Sequence, residues 1–308
     1  MTYSIVARDP ETGRLGVAAQ SCYFALGAVL PWAQAGVGAV ATQSMVDPGY
    51  GPRCLDLLAT GVGAAEALAQ VRAADEGREV RQVGVVDASG VVASFTGSMC
   101  IDHVGHAEGD GFTAQANMMA GPGVCEAMAH AVTSTSSPLA TRLVAALVAA
   151  EGMGGDARGQ MSAALIVVEG ERPEHPWQGV LTDVRVDHHP DPLGELARLT
   201  RVAEAYHLCD VAEEALVAGD VAAALAGSAA GLALLPSEGN LLLSYIGALI
   251  GVGRIDEAAS EIQKLVVARP SWEGVLRALI ARGFVPMPEG VTLDGLLTLQ
   301  APRAPKPP

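Results

Sequence analysis

The sequence predicts an α+β protein: a four-layer α-β-β-α sandwich over residues 1–190, followed by an all-α repeat module over 191–300. Three observations carry this. Strand-like apolar runs alternate with pairs of helical segments as far as residue 187. The stretch from Leu15 to Val46 holds no charged residue, as expected of strands buried on both faces. Beyond about residue 193 the pattern turns helical and repeats at an offset of 34 residues.

Residues 2–8, TYSIVAR, read as the first strand. DPETG at 9–13 supplies a turn, and 14–21 the second strand, so the chain opens on a hairpin. GVGAVATQ at 36–43 is a third, buried strand. Gln20, Ser21, Pro31, Gln34 and Gln43, with several glycines, break up the uncharged stretch, which therefore does not read as a membrane helix. A helix follows from about Pro52 to Gly61, and a second over 64–74. QVGVVDASGVVASF at 82–95 is a hairpin around Asp87-Ala88-Ser89-Gly90. A Gly-rich loop leads to a strand at 112–119, helices at about 122–133 and 138–151, and a last strand pair at 162–170 and 180–187. Hairpin-like pairs favour antiparallel sheets, and helix pairs between them favour helical outer layers.

In the rear module Gly219-Asp220-Val221 and Gly253-Arg254-Ile255 share the 34-residue offset, as do Pro236-Ser237 and Pro270-Ser271. That is the tetratricopeptide period. Two such units are few for a free solenoid, so the module is expected to pack on the front domain or on another subunit. A homo-oligomer is the expectation. The Pro-rich tail, 301–308, is expected to be disordered.

Composition narrows the partners. The chain has 308 residues, 34 acidic and 19 basic, and a net charge of −15. Such a chain repels phosphate backbones and anionic bilayers, which argues against nucleic-acid and membrane partners. The five cysteines form no CxxC pair and their number is odd, as expected of reduced thiols in the cytoplasm. The opening MTYSIVARDPE does not read as a signal peptide.

MTYSIVARDPETGRLGV, GAVLPWAQAGVGAVATQS, YGPRCLDLL, QVGVVDASGVVASFTG, GHAEGDGFTAQANMMAGP and GGDARGQMSAALIVV occur in that order. Together they resemble the bacterial N-terminal-nucleophile (Ntn) hydrolase-like proteins grouped as domain of unknown function 1028. The resemblance covers about residues 1–190 and implies the same four-layer sandwich. It brings no substrate with it.

In an Ntn enzyme one terminal residue is both nucleophile and base. Removal of Met1 would leave Thr2 with a hydroxyl and a free α-amine, whose ordinary pKa of about 8 suits proton transfer near neutrality. Otherwise Thr2 is simply the first residue of an edge strand. Ser4 lies on the same strand face and can support the amine, or it can be a core serine. No lysine precedes Lys264, so a lysine-tuned amine is excluded and Arg8, Arg53 and Arg158 are the candidate cations. Asp156 can orient Arg158 in the GGDARG loop, or the two form a structural ion pair. Asn117 is a candidate oxyanion donor. Gln20, Ser21 and Gln43 are polar residues at strand ends in apolar segments and are candidate substrate contacts.

Cys100, Asp102, His103 and His106 suggest zinc ligation or a Cys–His pair, but neither the ligand spacing nor a zinc-binding helix accompanies them, and a loop with locally bonded histidines fits better. No cofactor and no metal are expected. His188-His189 read as a solvated linker. The leading expectation is an amidohydrolase acting on a linear C–N bond of a small molecule or peptide. The alternatives are a non-catalytic binding or assembly protein working through its helical repeats, and a metal-dependent hydrolase at Cys100, His103 and His106.

Overall fold

The computed structural model describes residues 2–285 and 287–299, the side chain of Pro176 excepted. Met1 and the tail at 301–308, with its expected disorder, lie outside the described residues. The chain divides into two compact units, Met1–Thr200 and Arg201–Pro308.

The first unit contains the strands Thr2–Arg8 (β1), Leu15–Ser21 (β2), Pro31–Gln34 (β3), Gly38–Ser44 (β4), Arg81–Asp87 (β5), Val92–Thr96 (β6), Gly105–Gly109 (β7), Phe112–Asn117 (β8), Ser162–Val168 (β9) and Val180–Val186 (β10). They form two sheets, ordered β10-β9-β2-β1-β8-β7 and β3-β4-β5-β6. Every pairing is antiparallel. Four helices accompany them: Tyr50–Ala59 (α1), Ala64–Ala73 (α2), Val124–Thr133 (α3) and Leu139–Gly152 (α4).

Strand alternation decides where each apolar side chain goes. Tyr3, Ile5 and Ala7 of β1 join Met128 of α3 and Leu143 and Leu147 of α4 in one core. Val6 faces the other way and packs with Leu15, Val17, Ala39, Ala41 and Val86 between the two sheets. Val40, Val83 and Val85 turn to the far side of the second sheet, against Tyr50, Cys54 and Leu58 of α1 and Leu68 of α2. Each buried Leu or Val contributes roughly 1.5–3 kcal/mol. Helices therefore cover the outer face of each sheet, and the inner faces meet.

Two strands depart from the sequence expectation. Residues 31–34 and 105–109, the second placed in a Gly-rich loop, are strands β3 and β7. Each is the edge of its sheet. Edge strands tolerate proline, glycine and charge, which hides their apolar period. Among the described residues no helix is long and apolar enough to cross a membrane. The uncharged stretch is strand and turn.

The second unit is helical. Pro192–Val217 (α5) enters it, followed by Val221–Leu234 (α6), Gly239–Gly251 (α7), Ile255–Ala268 (α8), Ser271–Ala281 (α9) and Leu293–Thr298 (α10). The sequence offset is the offset of the helix starts: α6 follows Gly219-Asp220, and α8 follows Gly253-Arg254. Asp220 caps α6 by accepting from the Ala223 amide at 3.0 Å. Ile246, Leu249, Ile262, Leu265, Leu276 and Leu296 form the main core here.

Candidate functional site

At one end of the first unit the gap between the sheets turns polar. From the six-stranded sheet, β1 sends in Thr2 and Ser4, β2 sends Ser21, and β8 sends Thr113, Gln115 and Asn117. From the other sheet, β4 sends Gln43 and β5 sends Gln82. All are buried. The register places Thr2 opposite Asn117 and Gln43 opposite Gln82.

These side chains satisfy one another. Gln82 Oε1 accepts from Gln43 Nε2 at 2.7 Å and from Asn117 Nδ2 at 2.8 Å. Gln82 Nε2 faces Thr96 Oγ1 and the carbonyls of Gly105 and Ala116, each at 3.0 Å. Ser4 Oγ lies 2.6 Å from Gln43 Oε1 and 3.0 Å from Gln115 Oε1. Gln115 Nε2 donates to Thr113 Oγ1 at 2.5 Å. Gly84 makes room for this crossing: a Cβ there would lie 2.3 Å from Gln115 Nε2. A buried side-chain network of this kind rigidifies what it touches.

What it touches is residue 2. The Thr2 carbonyl accepts from Gln43 Nε2 at 3.1 Å and from Asn117 Nδ2 at 3.4 Å. The Thr2 hydroxyl donates to Ser21 Oγ at 3.0 Å. Thr2 is only 5 % exposed, yet it lines a cavity of about 380 Å³ with Ser21 and Gln43. Leu26, Val29 and Leu30, from the turn after β2, Ser44 at the end of β4, and Met45 and Val46 just after it build the walls. Ala25 (φ 53°) and Ser44 (φ 71°) adopt left-handed backbone, a conformation that costs a non-glycine residue about 1 kcal/mol and recurs near functional sites.

Two guanidinium groups complete the lining. Arg158 forms an ion pair with the buried Asp156 at 2.9 Å, and Asp156 also accepts from the Cys22 amide at 3.1 Å, fastening the 155–159 loop to the end of β2. Arg81 pairs with Asp75 at 3.0 Å and donates to the Met45 carbonyl at 2.5 Å. Burial pushes the Asp75 carboxyl upward, but hydrogen bonds from Arg81 and Tyr50 outweigh it and hold the group below its ordinary value. Asp75 thus stays charged, and keeps Arg81 in place, below the ordinary carboxylate range.

The residues singled out from the sequence fall into three groups. Thr2, Ser21, Gln43 and Arg158 share the cavity, with Asp156 directly behind Arg158. Ser4 and Asn117 lie in the supporting seam. Both Asn117 amide hydrogens have protein acceptors, the Thr2 carbonyl and Gln82 Oε1.

Gln20, Arg8 and Arg53 lie elsewhere. Gln20 precedes Ser21 by one residue and so points to the opposite sheet face, opposite Tyr3 in the register. It is fully buried there, and neither amide atom has a partner among the described residues. Burial first, and then the charge of Glu151 at the end of its hydrogen bond, push the neighbouring Tyr3 phenol well above its ordinary pKa. Arg8 sits at the other end of β1, about 20 Å along the strand from Thr2, and donates to the Ala88 carbonyl. Arg53 is on α1, where it pairs with Asp47 at 2.5 Å and with the Gly49 carbonyl at 2.8 Å, bracing the loop that supplies Ser44 to Val46.

Gln82, Gln115 and Arg81 were not legible as site residues. A usable signal existed in β8: Thr113, Gln115 and Asn117 put polar groups at every second position of a buried strand.

The other cavities offer less. One of about 580 Å³ is lined by Asp102, His103, His106 and the start of α3. The Cys125 thiol in its wall is pushed up to about 12 by burial, so it is not a thiolate nucleophile. Cys100 is buried with its Sγ 3.3 Å from the Arg81 carbonyl, whereas His103 and His106 are exposed, and His106 bonds locally to Thr96 at 2.9 Å. Among the described residues no group of three or more His, Cys, Asp or Glu side chains is disposed to hold a metal ion. His188 and His189 are exposed between β10 and α5.

Comparison with known proteins gives a consistent result. No curated protein matches the chain. The crystal structure of protein SPO2555 from Silicibacter pomeroyi, a DUF1028 protein, is similar at 34 % identity and a TM-score of 0.60. The match covers 66 % of this chain and 85 % of that one. Residues 2–196 match the family of unknown function DUF1028. The chain belongs to the DUF1028 family.

Proposed function

We propose that the first unit is an Ntn-type sandwich and that the protein is an amidohydrolase, with Thr2 as its terminal nucleophile, cleaving a linear C–N bond in a small molecule or peptide. One observation carries the reading. Residue 2 is held by its own carbonyl, between Gln43 and Asn117, and lines a cavity. Once Met1 is removed, the α-amine takes the Thr2 hydroxyl proton as Oγ1 attacks the substrate carbonyl. The tetrahedral intermediate collapses, the C–N bond breaks, and the ammonium returns the proton to the leaving nitrogen. Water then hydrolyses the threonyl ester, giving a carboxylic acid and restoring the hydroxyl. Arg81 supplies positive potential to the developing oxyanion.

The second reading is a non-catalytic scaffold, with the rear helices, tetratricopeptide-like by their 34-residue offset, as the working surface. The commitment of the Asn117 amide to Gln82 and Thr2 favours it, because it removes the side-chain oxyanion donor. A panel of linear amides separates the two. The enzyme reading expects turnover of at least one amide by the wild-type protein and none by Thr2→Ala. Identical behaviour of the two proteins across the panel would leave only the scaffold.

A further inference from the structure

Among the thirteen residues that line the Thr2 cavity, the charged ones are Arg81 and Arg158, and no carboxylate stands among them. This is a cationic lining in a chain with 34 acidic against 19 basic residues. Each guanidinium is anchored from behind by an aspartate, Asp156 for Arg158 and Asp75 for Arg81. Anchoring fixes direction and offsets each guanidinium's charge with one carboxylate, which suits a monoanion better than a phosphate dianion. The Arg158 side chain remains one-third exposed. Much of the remaining lining is apolar, with Leu26 and Leu30 buried and Tyr23 and Met45 exposed. A volume of about 380 Å³ lies at the low end for small-ligand sites, usually roughly 300–1,000 Å³.

We infer that this cavity takes a small carboxylate with an apolar body, and that the substrate is an N-acyl derivative of an apolar α-amino acid. The carboxylate meets the Arg158 side of the cavity and the apolar groups meet Leu26, Leu30 and Val46. The identity of the scissile bond rests on the reading of Thr2 as nucleophile; the carboxylate preference does not. Hydrolysis adds water across the amide and releases a carboxylic acid and the free amino acid.

Calorimetric titration of Thr2→Ala tests this without turnover. The probes are the N-acetyl derivatives of L-alanine, L-valine, L-leucine and L-methionine, each as free acid and as C-terminal amide. At least one acid is expected to bind, with its amide weaker by about tenfold or more, the scale of losing one charge-assisted contact. Arg158→Gln should bring that acid down to its amide, and Arg158→Lys, which keeps the charge but cannot hold Asp156 through two nitrogens, should fall between. The comparison of acid with amide needs no change at Arg158, so misfolding of those variants does not spoil it. Binding of no acid, or equal binding of acid and amide, overturns the inference. Acid-selective binding in Thr2→Ala without hydrolysis by the wild type keeps the carboxylate site and removes the nucleophile. Equal hydrolysis of acids and amides does the reverse.

Discussion

Gln82→Met should lower the stability of the first unit by about 3 kcal/mol in urea denaturation, although the side chain keeps nearly the same length and volume. Gln82 is the hub of the seam. Its carbonyl oxygen receives both Gln43 and Asn117, and its amide faces three further oxygens. Methionine fills the space and answers none of these groups. Each buried polar group left without a partner costs roughly 1–3 kcal/mol. Gln70, on the exposed face of α2 and bonded to Glu66, provides the control: Gln70→Met should stay within about 0.5 kcal/mol of the parent. Because Gln43 and Asn117 also hold the Thr2 carbonyl, Gln82→Met should lower turnover even where the protein remains folded. A loss of stability below about 1 kcal/mol would mean that the seam is not a cooperative network.

The second large effect concerns the backbone of residue 2. A variant with glutamate inserted between Met1 and Thr2 keeps the methionine, because a large second residue blocks its removal. The threonine hydroxyl survives, but its nitrogen becomes an amide, which cannot accept a proton at working pH. Amide turnover should then fall by about 10³-fold or more, as it does when the base of a nucleophile–base pair is lost. The same protein should still bind the carboxylate probe unless the added residues fill the cavity. Full activity in the extended protein would exclude the α-amine as base and leave Thr2 an ordinary strand residue.

Much of the fold was legible because buried strands and amphipathic helices carry strong periodicity. β1, β2, β4, β5, β8, β9 and β10 each show as β-branched or small-residue runs bounded by turn residues, and the 34-residue offset fixes the starts of α6 and α8. The missed strands, β3 and β7, are edges, one beginning at Pro31 and the other reading GHAEG. An edge strand buries little, so its sequence says little.

The site was half legible for a related reason. Polar residues near the ends of apolar strands do mark Thr2, Ser21, Gln43 and Asn117. A mark of that kind does not give the face, and Gln20, one residue from Ser21, turns to the helical layer. Arg8 and Arg53 lie away from the cavity and bond to local partners, which a linear sequence does not display. Gln82 and Arg81 were hidden because β5 reads as an apolar hairpin strand, and their importance appears only when β4 and β8 are brought beside it.

Intact-mass measurement of the purified full-length chain tests the central claim most directly. The account predicts a mass short by one methionine residue, with fragmentation placing threonine at the N-terminus. A mass that retains the methionine, in protein made where methionine aminopeptidase is active, would contradict it.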